Sequence, residues 1–190
     1  MVEKRVLSYE LNQDMLALIR QEFDVEKLVT RFCEAIADKG KQEIEGIGKE
    51  IFAEYGRDLI RRTLQLGEEY PDRTYEVLKE AIDQLGGYYK FGLLPQRFLE
   101  IAYLSLSELR NLPIMENNPR RLAYRITDCP IYKSLTDKCG EDTAKLMACR
   151  HVCLTAVDVL HQDLDLDAVA AMEASMPKDG YCQFSASKFL

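Results

Sequence analysis

Apolar residues recur at helical spacing through the first third of the chain. Leu11, Met15, Leu18 and Ile19 form one run. Val25, Leu28, Val29, Phe32, Ala35 and Ile36 form a second, with Asp24 placed to cap it. A third carries Ile44, Ile47, Ile51, Phe52, Tyr55, Leu59, Ile60 and Leu64. Gly40, Gly46, Gly48 and Gly56 weaken it locally, and Gly67 is expected to end it. Pro71 and Asp72 open a shorter helix through Tyr75, Leu78, Ala81, Ile82 and Leu85, stopped by Gly86-Gly87.

After Gly87 the pattern changes. Tyr88 to Pro95 reads as an aromatic turn. Residues 97–107 fit two periods: Leu99, Ile101 and Tyr103 alternate as in a strand, while Phe98, Ile101, Ala102 and Ser105 fit a helix after Pro95. The strand is the favoured reading. Asn117-Asn118-Pro119 marks a turn, and Leu122, Tyr124 and Ile126 then alternate with polar or small residues as a strand ended by Pro130. Residues 141–162 read as one helix. A second, Leu166 to Met176, stops at Pro177, with Asp163-Leu-Asp165-Leu-Asp167 as its start. A last strand follows Gly180. Helices first, then a few antiparallel strands with inserted helices, predict an α+β fold. One domain, 1–190, is expected, with a mainly helical part at 1–87 and an α+β part at 88–190.

Composition narrows the function. With 47% apolar and 30% charged residues, the chain can bury a core and is not disordered. The 25 Lys and Arg against 32 Asp and Glu leave a formal charge of −7, and no basic block offers a grip on nucleic acid. No apolar run is long enough for a membrane span. The N-terminus, Met1-Val-Glu-Lys-Arg-Val-Leu, lacks the apolar core of a signal peptide, so a cytoplasmic protein with reduced thiols is expected. Glycine-rich nucleotide loops, His-Glu-x-x-His and Gly-x-Ser-x-Gly are missing.

The chemistry left is that of the cysteines. Cys33 stands alone and reads as packing. Cys129, Cys139, Cys149, Cys153 and Cys182 crowd the last third. Cys149 and Cys153 share one helix face, either as small buried hydrophobes or as paired thiols aimed at a pocket. Cys129 ends one predicted strand and Cys182 begins another. If those strands pair, Cys129, Cys149 or Cys153, and Cys182 converge. His151 lies about 200° around the helix from Cys149 and shares a stripe with Asp158 and His161. A reactive thiolate needs a cation, a His or a helix N-terminus nearby; Arg125, Arg150 and Lys178 are candidate charges. No Cys-x2-Cys pair announces zinc and no ferredoxin-like run announces iron–sulfur. The cofactor therefore stays open between zinc, iron and none, with Cys129, Cys149, Cys153 and Cys182 as the ligands of any metal.

Three segments carry a family resemblance: Tyr124-Arg-Ile-Thr-Asp-Cys129-Pro130, Cys149-Arg-His-Val-Cys153, and Met176-Pro-Lys-Asp-Gly180-Tyr-Cys182-Gln-Phe184. In that order, with Glu54-Tyr55-Gly56-Arg57 upstream, they resemble the L-2-amino-thiazoline-4-carboxylic acid hydrolase-like family over residues 40–189. A looser similarity links them to small-ligand-binding domains of the vinyl-reductase type. The first resemblance implies hydrolysis of a C–N bond in a small cyclic amidine, with the recurrent cysteines at Cys129, Cys149 or Cys153, and Cys182. Cys139 and His151 fall outside that pattern. The expected catalytic set is Cys129, Cys153, Cys182 and His151, with His151, Asp158 or Glu173 to protonate a leaving nitrogen. The competing readings are a module sensing a metabolite, metal or redox state, with Tyr88, Tyr89 and Phe91 in its pocket, and a helical partner protein whose thiols only pack. Expected partners are a small molecule and a homodimer mate, with neither nucleic acid nor membrane.

Overall fold

The computed structural model describes residues 9–84, 90–107 and 111–188. Local capping chemistry places the first helices. The Asn12 side-chain oxygen accepts the N–H groups of Asp14 and Met15 and opens α1 (Gln13–Glu22). Asp24 does the same for α2 (Val25–Ala35), accepting from Glu26 and Lys27. The third run becomes the 29-residue α3 (Lys41–Glu69), which passes through Gly67. Asp72 accepts the Tyr75 N–H at 2.8 Å and starts α4 (Arg73–Gln84).

Residues 97–107 are helical, against the strand reading. They belong to α5 (Lys90–Leu106), whose chain leaves helical geometry only at Phe91 and Gly92. The reason is burial. From Leu94 to Leu99 and on through Leu104, nearly every side chain is covered, Gln96, Arg97 and Glu100 included. A helix buried all round has no polar stripe to reveal its period.

Of the antiparallel strands, β2 (Arg121–Ile126) and β4 (Cys182–Lys188) lie where the alternation puts them. β1 (Ile114–Asn118) has no counterpart in the sequence reading. It joins β2 through the expected turn, where the Asn118 oxygen accepts from Arg120 and Arg121 N–H groups. The helix expected over 166–176 is instead β3 (Ala168–Ala174). Its Ala-rich sequence favours a helix locally, and pairing with β4 overrides that. The Asp163–Asp167 segment is the exit of a helix, not a start; Asp165 turns left-handed there, at φ 55°. The single helix expected over 141–162 is broken at Met147, φ 58°. The sheet order is β1-β2-β4-β3. Between β2 and β3 run α6 (Pro130–Cys139), α7 (Glu141–Ala144) and α8 (Arg150–Asp163), and the short α9 (Met176–Asp179) precedes β4. The architecture is α+β, with a helical first half and a small antiparallel sheet carrying inserted helices.

α5 touches α1, α3, α4 and α8 as well as β1 and β2, and α8 packs on β3 and β4. The sheet turns Leu122, Tyr124, Ile126, Cys182, Phe184 and Ala186 inward. α3 and α8 form the most extensive helix contact. It depends on absent side chains: a Cβ at Gly48 would overlap Ala148, and one at Gly56 would overlap the Val152 carbonyl. Two of the glycines that look like weak points of α3, Gly48 and Gly56, are its contact points with the cysteine-bearing helix and the residue leading into it. Among the described residues, no helix is long and apolar enough to cross a membrane.

Candidate functional site

Cys129 does not end β2. It caps α6, where Pro130 takes the first helical position, and its sulfur accepts the Tyr132 N–H at 3.4 Å. Cys182 opens β4 directly opposite Ile126 on β2, so pairing of these strands brings it to the end of β2 that leads into α6. Cys149 is the capping residue of α8 and Cys153 lies one turn inside it. The four thiols are near enough to be coupled electrostatically. A charge on Cys129 or Cys182 would be felt by both Cys149 and Cys153.

Their surroundings hold them neutral. Burial raises all four thiols above their ordinary value. Cys129 is pushed up to about 11, burial outweighing the lowering by the backbone N–H groups of Tyr132 and Ile131. Cys149 and Cys153 lie well above the usual range, from burial first and neighbouring thiols second. Cys149, Cys153 and Cys182 are buried and Cys129 is partly exposed. The candidate cations are engaged or exposed to solvent. Arg150 pairs with Glu45 on α3; Arg125 donates to Gln183 at 2.7 Å and lies over the Tyr181 ring; Lys178 is exposed on α9.

His151 does not join the thiols either. Its Nε2 meets the Glu45 carboxylate at 3.0 Å. Burial raises Glu45, but the hydrogen bonds from His151 and Arg150 outweigh it and hold the carboxyl low. Asp158 accepts the Ala170 N–H at 3.3 Å, capping β3. Glu173 accepts from Arg121, Gln183 and Ser185 on the outer face of the sheet. These three acid–base candidates therefore hold the structure together at a remove from the sulfurs. His161 is buried. Its Nδ1–H donates to the Val157 carbonyl at 2.7 Å, and its Nε2 has no hydrogen-bond partner among the described residues.

Cys129 and Cys153 face one small apolar cavity of about 30 Å³. Its other walls are the end of α5 (Tyr103, Leu104, Leu106) with Ser107, Leu112, Ile126 of β2, Asp128, the start of α6 (Pro130, Ile131) and Val152 of α8. Tyr103 and Tyr124 supply polarity that the sequence reading missed. Their hydroxyls are 2.9 Å apart, and Tyr103 lines the cavity together with Cys153. Burial holds both phenols well above their ordinary range, so they are neutral donors. The inward alternation of β2 was the available signal for Tyr124. Tyr103 had none, because the strand reading misplaced it. Of the aromatic pocket candidates, Tyr88 and Tyr89 lie outside the described residues. Phe91 packs against His161, ring centroids 5.7 Å apart.

The arrangement bears on metals too. Among the described residues, no group of three or more His, Cys, Asp or Glu side chains is placed to hold a metal ion.

Cys33 and Cys139, read as packing and as undecided, form a disulfide between α2 and the last residue of α6, Cα atoms 5.7 Å apart. This departs from the expectation that all the thiols are reduced. The two cysteines are 106 residues apart in the chain, and only the side-by-side packing of α2 and α6 joins them.

No family model matches the sequence, and neither a curated protein nor a solved structure is similar to it.

Proposed function

We propose that the chain is a small-molecule-binding module of the sensing kind, akin to the vinyl-reductase-type domains, whose ligand enters the cysteine-lined cavity. The observation that supports this is the company of the thiols: two sulfurs held neutral, Cys129 and Cys153, face an apolar space, and no cation is among its lining residues that the structure describes. Such a lining suits a small apolar or thiol-reactive compound better than an ionic one. A cytoplasmic setting keeps the four thiols reduced. In a panel of small apolar compounds, a ligand should raise the thermal midpoint and slow alkylation of Cys129. Leu112→Phe, which fills the cavity, should abolish both effects. Ligand stabilisation that survives the filled cavity would overturn the proposal.

One observation favours the hydrolase reading instead. Cys129 sits at the N-terminus of α6, and its sulfur already accepts a backbone N–H. There it would attack the amidine carbon once its proton is removed. Cys129→Ser, Cys153→Ser and Cys182→Ser, each assayed for opening of a cyclic amidine, separate the readings. Loss of turnover with the fold intact supports the hydrolase; full turnover in all three removes it.

A further inference from the structure

We propose that the Cys33–Cys139 disulfide is a redox latch that holds one wall of the cavity shut. The cavity has room for about one or two waters, whereas pockets for small molecules run to about 300–1,000 Å³. A wall must therefore move before any ligand enters. The α5 and α8 walls pack on other helices and on the sheet. The α6 wall, which contributes Cys129, Pro130 and Ile131, is different: α6 packs chiefly on α2 and the short α7.

Ile131, Ser134 and Leu135 seat α6 on the core along its length, while its covalent and charged ties to α2 are gathered at its far end. Cys139 is the last of its ten residues, so Cys129 and Cys139 stand about 15 Å apart on one rigid lever. Beside the disulfide, Lys138 pairs with Glu26 at 2.9 Å and donates to Thr30 Oγ1 at 2.7 Å. Exposed ties of this kind are weak, so the covalent bond is the tie added to the apolar packing, and the one a reductant removes. Both of its cysteines are only half-buried and within reach of a reagent.

Release follows ordinary thiol–disulfide exchange. One thiolate of an external dithiol attacks a sulfur of the pair and forms a mixed disulfide. The displaced sulfur leaves as a thiolate and takes up a proton. The second thiol of the reagent, losing its proton, closes the reagent's own disulfide and frees the remaining protein thiol. Two electrons and two protons pass to Cys33 and Cys139, and the dithiol is oxidised.

The latch rests on the cavity being the binding site, but its test needs no ligand, so the two readings fail separately. The full chain is compared in its oxidised form and after reduction by dithiothreitol and desalting, with circular dichroism confirming that the fold is retained. Alkylation of Cys153, which is buried and faces the cavity, is followed by peptide mass. Reduction should accelerate it at least about tenfold, as access through a freed wall requires. The Cys33→Ser/Cys139→Ser double variant should be fast with or without reductant. Equal Cys153 rates in the folded oxidised and reduced wild type would overturn the latch, as would the absence of a Cys33–Cys139 linkage from the oxidised protein. If the double variant does not fold, the wild-type pair decides.

Discussion

The two ends of α5 are both interior and are built on opposite terms. Near its start, charged and amide groups are buried in tight pairs. Arg97 donates through Nε to Asp72 at 2.7 Å and through Nη2 to the Gly67 carbonyl at 3.0 Å, and its guanidinium lies over the Tyr75 ring. Gln96 donates to Glu100 and accepts from Asn117. Near its end, Tyr103 and Leu104 meet thiols, phenols and a void. Buried charge is tolerated only where partners are fixed around it. Soft, weakly polar thiols need no such partners, and space can remain beside them. The paired end is a brace, and the thiol end is where something can bind.

The largest expected effect tests the brace. Arg97→Met leaves the Asp72 carboxylate buried without its cation and should cost about 3–5 kcal/mol, read from denaturant unfolding. A cost below about 1 kcal/mol would make the two ends alike. At the other end, Tyr103→Phe takes one partner from the Tyr124 hydroxyl and should cost about 1–2 kcal/mol by the same measurement. Cys153→Ala removes only a small packed group and should cost about 1 kcal/mol; a much larger loss would mean that the sulfur holds the site together.

Two pH profiles sharpen the contrast. With Cys129 pushed up to about 11, its alkylation rate in the folded protein should rise about tenfold per pH unit from 7 to 10. A plateau near pH 8 would mean an activated thiolate and favour the hydrolase. The smallest effect concerns His161. Burial holds it below its ordinary value of 6.5, so the unfolded chain takes up the proton first as pH falls. Stability should therefore decline as pH drops below about 6.5, and His161→Phe should flatten that part of the melting-temperature profile. An unchanged profile would show that His161 is not the group responsible.

The helical half of the fold was legible because its signals are local. Asp24 caps the helix it was expected to cap, and β2 and β4 alternate where expected. Three elements were not. α5 is buried on every side and shows no period of its own. β1 is short and only half-buried. β3 is an alanine-rich segment whose conformation is decided by the strand beside it. The site divides the same way. That Cys129 and Cys182 would lie near each other followed from pairing the strand before one with the strand after the other. That the candidate cations Arg125 and Arg150 are engaged elsewhere did not, because Gln183 and Glu45, which hold them, are far away in the chain.

By itself the sequence determined the fold class, the Asp24 cap and the Asp72 helix start, the strands β2 and β4 and the crowding of thiols in the last third. These depend on contacts between near neighbours or on the period of a half-buried face. The tertiary structure decided the rest: the closed cavity, the neutral state of its thiols, the engagement of His151 with Glu45, and the bond between Cys33 and Cys139. Burial and charge pairing are properties of surroundings, and for these groups the surroundings come from segments distant in the chain.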